Sequence, residues 1–245
     1  MKIFLEWFES GLHNLKDIAD RVVIIDALRA SATIVTAFES NVKTIIPTHS
    51  IEEGLVLKES YKDAVFSAEI DGVKVDVADV GNSPTGLKRL LKKKPCKVLI
   101  LRTSAGSQLI KKAEKLGFGE IIVGSFLNAY AVAKYLSMKK EDVGIVCAGY
   151  NKKFFAIEDF LAAGLIISEI NGLLEDDVDL EDQALASFLA FQASKENLYE
   201  VILQGRSAKR IIEIGEDEDI SASLRVNSSS VVPIVIKGSI VPLRP

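Results

Sequence analysis

The 245-residue chain has only two cysteines, Cys96 and Cys147. Two thiols cannot frame a disulfide-stapled fold, and they suit a reducing compartment. Histidine is as scarce, with His13 and His49 alone, and these offer neither a metal-binding pair at helical spacing nor a convincing base for a serine triad. No apolar run reaches the roughly 18–20 residues of a membrane span. The first apolar stretch carries an acid, Glu6, unlike a signal peptide, so a cytoplasmic protein is expected. Positive charge is not in excess: the formal net charge is −4. No global field then recruits nucleic acid or anionic lipid, and neither is expected as a partner. Any phosphate-bearing ligand must be attracted by a local arrangement.

Several fingerprints are absent as well. There is no Gly-x-x-x-x-Gly-Lys-[Ser/Thr] loop, which removes the P-loop nucleotidases. No Gly-x-Gly-x-x-Gly follows a strand, so a dinucleotide site lacks its signature. Lys153 stands where a Cys-x5-Arg phosphatase built on Cys147 would need arginine, and Cys147 reads as a small buried side chain. Asp26-Ala27-Leu28 lacks the second aspartate of an aspartyl-phosphate hydrolase.

Short β-branched runs alternating with segments of helical period dominate what is present. Val22–Asp26, Lys97–Leu101, Glu120–Val123 and Val143–Cys147 read as strands buried on both faces. Helices are expected over Ala30–Glu39, from Ser50 as N-cap, through Lys115, and near 126–137 and 157–171. That alternation predicts a three-layer α/β/α fold, with a mainly parallel or mixed sheet and helices on both faces. Residues 1–245 are expected to form one compact domain, at most two-lobed. The acidic segment Glu175–Asp182 reads as a solvated loop, and Gly215–Asp219 as a second acidic turn. Val231–Ile236 reads as a strand that Pro233 confines to a sheet edge.

In an open parallel sheet the ligand crevice lies beyond the carboxyl ends of the strands. The turns there are polar and small: Asp26–Ser31, Arg102–Ser107, Gly124–Asn128 and Ala148–Asn151. A Ser/Thr/Gly turn at a helix start exposes free N–H groups and the positive end of the helix dipole, and so suits an anion. Any one such turn is ordinary helix capping; four at one edge suggest an oxyanion or phosphate site. Asp26 at a strand end is either an N-cap or a hard-cation ligand. Arg29 has the planar fork for an anionic oxygen, and otherwise makes a surface ion pair. Glu69-Ile70-Asp71-Gly72 and Asp79–Pro84 form another acidic, oxygen-rich region, in which Asp79 and Asn82 are ligand candidates or turn formers. Glu158 and Asp159 open an apolar helix, where the dipole alone would favour acids.

Five motifs in order resemble the 2-phosphosulfolactate phosphatase family, the ComB-like proteins. They are Val22–Thr33, Asp79–Pro84, Arg102–Gly106, Gly124–Ala129, and Cys147–Asn151 with Ile157–Gly164. One departure is Lys152-Lys153-Phe154, where the family usually shows Gly-Arg-Phe; it bears on substrate identity rather than reaction type. The resemblance implies a Mg²⁺-dependent phosphoric monoester hydrolase. Its substrate would be a small anionic phosphoester, (R)-2-phospho-3-sulfolactate, cleaved to 3-sulfolactate and phosphate on the route to coenzyme M. The alternatives are a non-catalytic anion-binding or regulatory protein, and the same chemistry on another phosphorylated hydroxy acid.

On that reading Asp26, Glu69 and Asp79 hold the metal, and Asp26, Arg29, Glu69 and Glu158 carry catalysis. Arg29, Ser31, Asn82, Thr103, Ser104, Gly106 and Asn128 bind or position the substrate. Direct attack by water is expected, since no covalent phosphoenzyme is evident. A homodimer is the modest expectation for a soluble enzyme.

Overall fold

The computed structural model describes residues 1–175 and 178–243. The strands are β1 (Lys2–Trp7), β2 (Arg21–Ile25), β3 (Thr44–Pro47), β4 (Val65–Ile70), β5 (Val73–Lys74), β6 (Val98–Arg102), β7 (Glu120–Gly124), β8 (Val143–Cys147), β9 (Asp179–Leu180), β10 (Val232–Ile236) and β11 (Ser239–Leu243). The helices are α1 (Phe8–Leu15), α2 (Ala30–Glu39), α3 (Ile51–Ser60), α4 (Pro84–Lys93), α5 (Gly106–Leu116), α6 (Ala129–Ser137), α7 (Ile157–Leu173), α8 (Asp182–Ser194), α9 (Leu198–Leu203), α10 (Arg206–Glu213) and α11 (Glu218–Ser223). Among the described residues none of these helices is long and apolar enough to cross a membrane.

The expected α/β architecture is present: a large, mostly parallel sheet flanked by helices on both faces. Strand alternation sorts the core into two layers. Val23 and Ile25 of β2 face a cluster with Ala133 and Leu136 of α6 and Ile166 of α7, whereas Val22 and Ile24 face one with Leu12 of α1, Ile34 of α2 and Ile110 of α5. A strand with both faces covered reads as a near-continuous apolar run, and every residue of β2 and β8 is buried, with only Arg21 at the start of β2 charged. The helix starts follow local chemistry. Ser50 accepts a hydrogen bond from the Glu53 amide, and Ser83 caps α4 with Pro84 at its first turn.

The sheet order is β5-β4-β6-β3-β11-β10-β7-β2-β8-β1-β9. The parallel group β4-β6-β3 is joined to the parallel group β7-β2-β8-β1-β9 through the C-terminal hairpin β10–β11. Each of the three junctions β3–β11, β11–β10 and β10–β7 is antiparallel, so the two groups run oppositely along the ladder. Sheet twist offsets that opposition. At about 20–25° per neighbour, the path from β6 to β2 accumulates roughly 100–125° of rotation. The ends of strands that are nominally opposed can therefore reach one rim.

The sheet-edge expectation for Val231–Ile236 is wrong, because β10 lies in the interior of the sheet. Pro233 is tolerated because it sits opposite Pro242, and because β10 meets β7 at the single register pair Ile234–Ile122. Few ladder hydrogen bonds are asked of the proline. The acidic loop Glu175–Asp182 is also shorter than expected. Asp179–Leu180 pairs with β1 as an edge strand and Asp182 begins α8, while Asp176 and Asp177 lie outside the described residues.

Gly164 marks the closest approach of α7 to α8. A Cβ there would overlap the Ser187 carbonyl oxygen and lie 2.7 Å from the Phe191 Cβ. Helix propensity favours alanine over glycine by about 1 kcal/mol, but crowding against backbone typically costs about 1–3 kcal/mol. Gly164→Ala is expected to lower the melting temperature by several degrees in a thermal scan, opposite in sign to the propensity effect.

Candidate active site

Three of the four polar turns meet in one cleft of about 80 Å³. It is lined by Asp26 and Arg29 after β2, Ser104 and Ala105 after β6, and Gly149, Tyr150 and Asn151 after β8. Glu69, Asp71 and Gly72 enter from the β4–β5 hairpin, Asn82 from the loop before α4, Glu158 and Asp159 from the start of α7, and Ser207, Arg210 and Ile211 from α10. The hairpin turn has Asp71 at φ 49° and Gly72 at φ 84°, the left-handed pair of a two-residue primed turn.

Asp159 fastens the rim. Its Oδ1 accepts from the Ala27 amide at 2.7 Å and its Oδ2 from the Gly149 amide at 2.8 Å, so one carboxylate ties the end of β2 to the end of β8. Asp26 lies against the start of α5. A side chain at Gly106 would come within 2.7 Å of Asp26 Oδ2 and of the Ala30 Cβ, so glycine there permits the contact. The Ala30 and Gly106 amides both hydrogen-bond the Asp26 carboxylate. Glu69 joins two loops, accepting from the Ser104 amide, from Ser104 Oγ at 3.0 Å and from the Gly72 amide at 2.7 Å.

The electrostatics are dominated by buried acid. Burial pushes Asp26 up to about 6, with the Glu69 charge adding to the shift and the Ala30 and Gly106 amides opposing it. Burial likewise raises Glu158 to about 7, against a hydrogen bond from Ser207 and with help from the Asp26 charge. Asp159 lies well above the carboxylate range because it is buried beside Glu158 and Asp26. Two oxygens aimed into this region, Asn82 Oδ1 and Glu158 Oε2, are buried without a hydrogen-bond partner. Native proteins rarely leave such atoms unsatisfied.

Arg29 is the buried cation of the cleft. Its Nη1 donates to Asp219 Oδ2 at 2.7 Å and to Glu216, and its Nη2 donates to the Gly72 carbonyl at 2.8 Å. Asp219 is fully buried, and its Oδ1 accepts from Ser83 Oγ, the Thr85 amide and Thr85 Oγ1. The turn Gly215–Asp219 is therefore no simple acidic turn: its last residue anchors α11 to Arg29 and to the start of α4.

Other expected site residues stand elsewhere. Asp79 does not line the cleft; its carboxylate accepts from the Phe66 amide and pairs with Lys58 at 2.9 Å and Lys94 at 3.8 Å. These partners hold it below the ordinary carboxylate range even though burial pushes the other way. Asp79 is thus engaged by Lys58 of α3 and by Lys94 after α4, away from the cleft that Asp26 lines. Thr103 turns inward, where Thr103 and Ser107 exchange side-chain-to-amide bonds at 2.9 and 2.8 Å. Ser31 Oγ accepts from the Asp26 amide at 3.0 Å and so shapes the turn, and the Gly106 amide is taken by Asp26. Neither is free to hold substrate directly.

Asn128 belongs to the fourth turn, which the C-terminal segment covers. Its Nδ2 donates to the carbonyls of Val123 and Val231, and its Oδ1 accepts from Ser125. Arg29, Asn82 and Ser104 remain as substrate-binding candidates lining the cleft, with Asp26, Glu69 and Glu158 beside them. Sequence reasoning missed Ser207 and Arg210, which come from a helix that announces no turn, and Glu216 and Asp219, whose segment it read only as an acidic turn. For Asp219 the one signal is its i,i+4 spacing with Ser223, also buried.

The cleft's donors are hard oxygens, yet among the described residues no group of three or more His, Cys, Asp or Glu is already arranged to hold a metal ion. The 2-phosphosulpholactate phosphatase family matches residues 8–238. The chain belongs to this family. Over 240 residues it is 33% identical to a probable 2-phosphosulfolactate phosphatase of Caldanaerobacter subterraneus subsp. tengcongensis, covering 96% of this chain and 97% of that protein. A Carboxydothermus hydrogenoformans protein of the same name is 35% identical over 95% of this chain and 92% of its own length. A third, from Thermotoga maritima, is 36% identical over 88% and 89%. As a member of this family the chain is a phosphoric monoester hydrolase.

Two expectations follow from the buried charges. Asp219→Ala removes the fully buried partner of Arg29, and breaking such a pair costs about 3–5 kcal/mol; the denaturant midpoint should fall accordingly. The second concerns pH. Because Asp26 and Glu158 have raised values in the fold, the folded protein holds more protons than the unfolded chain between the ordinary carboxylate range and about 7. Stability should fall as pH rises through that window. In EDTA the melting temperature is expected to be higher at about pH 5 than at about pH 7.5, and Glu158→Gln should raise it at the upper pH.

Proposed function

We propose that the chain hydrolyses (R)-2-phospho-3-sulfolactate to 3-sulfolactate and phosphate, with Mg²⁺, as a step toward coenzyme M. The observation that carries this reading is the meeting, at one cleft, of Asp26, buried Glu158, a buried Arg29 and two unpartnered oxygens. Each comes from a different part of the chain.

The donor set suits a magnesium ion. Mg²⁺ is ordinarily held by one or two carboxylates, with water and substrate phosphate completing its shell, rather than by an all-protein cage. Asp26 would supply the carboxylate, and Asn82 Oδ1, which lacks a partner, a neutral oxygen. Glu69 is spoken for by Ser104 and Gly72 and serves better as the tie that holds both loops in place. A bound Mg²⁺ would polarise the phosphoryl group and neutralise its developing charge.

The chain's own groups do the rest. Hydrolysis of a phosphomonoester needs positioning and neutralisation of the phosphoryl oxygens more than covalent chemistry. Arg29, held rigid by Asp219, presents its guanidinium to an anionic oxygen. Glu158, raised to about 7, is matched to proton transfer near neutral pH and would take the proton from the attacking water. Asp159, committed to two amides, keeps the Ala27 and Gly149 backbone fixed around the reacting group.

Phosphate release from (R)-2-phospho-3-sulfolactate should require Mg²⁺ and stop in EDTA. Asp26→Asn should lower kcat by two or more orders of magnitude, on the order of a lost metal ligand, with the fold retained by circular dichroism. Turnover unaffected by EDTA, or near-normal in that variant, would overturn the reading.

A further inference from the structure

A second cavity, of about 590 Å³, adjoins the cleft and has the opposite character. Five lysines line it: Lys111, Lys112 and Lys115 of α5, and Lys152 and Lys153 of the turn after β8. The one lining carboxylate, Glu9, is paired with Lys112 at 2.6 Å. The Glu9 charge also acts on Lys152, which leaves Lys111, Lys115 and Lys153 facing the cavity with no acid of its wall beside them, on a chain whose formal net charge is −4.

That concentration of charge has a cost. Lys111 and Lys115 are four apart on one helix, and like charges at that spacing repel. Lys152 sits in the left-handed region at φ 56°, on a turn pinned by Tyr150–Phe154 backbone hydrogen bonds of 2.9 and 3.0 Å. The two lysine groups come from distant segments and are brought together only by the packing of the turn against α5. The cavity is concave and bounded, which suits a small molecule rather than a nucleic acid or a lipid surface.

Its wall against the cleft is one residue thick. Ala105 lines both cavities, and Ala148 of the basic one is followed directly by Gly149 of the acidic one. The Phe8 ring, also in the basic wall, fills the space a Gly149 side chain would need.

We propose that this basic cavity is a second anion-binding site, for small molecules bearing several phosphate, sulfonate or carboxylate charges, and that it captures them beside the acidic cleft. A multiply charged anion approaching the acidic cleft meets repulsion that Arg29 and Arg210, each already paired with a carboxylate, do not cancel. A lysine-lined cavity next door raises the local anion concentration. This delivery role rests on the proposed phosphatase reading; the binding itself does not.

The test uses inorganic pyrophosphate as the probe, titrated calorimetrically in EDTA so that no divalent ion recruits it to the cleft. The wild-type protein should bind. A Lys111→Gln/Lys152→Gln/Lys153→Gln variant should bind about tenfold or more weakly, the scale of local electrostatic concentration. A control variant, Lys92→Gln/Lys93→Gln/Lys94→Gln on the far end of α4, should bind like wild type. With phosphosulfolactate and Mg²⁺ at low salt, the first variant should lose kcat/KM with kcat unchanged, and the deficit should vanish at high salt. Unchanged kcat/KM alongside weakened pyrophosphate binding would assign the site to an anion other than the substrate. The proposal fails if wild type does not bind pyrophosphate, if the first variant binds equally well, or if the control loses as much.

Discussion

Crowding of buried carboxylates at one rim is the constraint on which the remaining structure depends. Glu158 and Asp159 are buried, and the nearby Asp26 charge raises the proton affinity of both. Charge buried without compensation is expensive. Part of the compensation is built in: Asp159 takes two amides, and Asp26 takes the amides at the starts of α2 and α5. Part is left open, in the unpartnered oxygens of Glu158 and Asn82. A folded state that keeps such a deficit stores stability it could otherwise have, and a bound cation and anionic ester are the natural way to relieve it.

Arg29 shows how the chain holds a cation against that acid without letting it collapse inward. Its guanidinium is drawn outward by Asp219 and Glu216 and fixed to the Gly72 carbonyl. Asp219 in turn is saturated by Ser83 and Thr85. The loop before α4, the β4–β5 turn and α11 are thereby joined through one side chain. Loss of any member would loosen the site and the packing together, so structural and functional roles are not separable there.

The α/β class, the two-face burial of β2 and β8, and several helix caps were legible in the sequence, because each depends on residues close together along the chain. Val22–Ile25 can be read as a buried strand from its own side chains, and Ser50 as a cap from its neighbour at Glu53. Pro233 misled for the same local reason: a proline argues for an edge unless its register partner also asks for no ladder bond, and Pro242 is visible only after pairing. Asp79 misled because its motif neighbours Asn82, yet its carboxylate is taken by the Phe66 amide, Lys58 and Lys94.

By itself, then, the sequence determined the layering, the family and the polar turns that follow the strands, since periodicity and capping act over a few residues. The tertiary structure alone decided which turns converge. The turns after β6 and β2 line one cleft although four strands separate them in the sheet, while the C-terminal segment closes over Asn128 and removes the fourth turn. It also decided that Asp219, Ser207 and Arg210, from helices late in the chain, would complete a cleft begun at Asp26. Contacts spanning more than a hundred residues follow from how layers stack and rotate, and no local pattern encodes that.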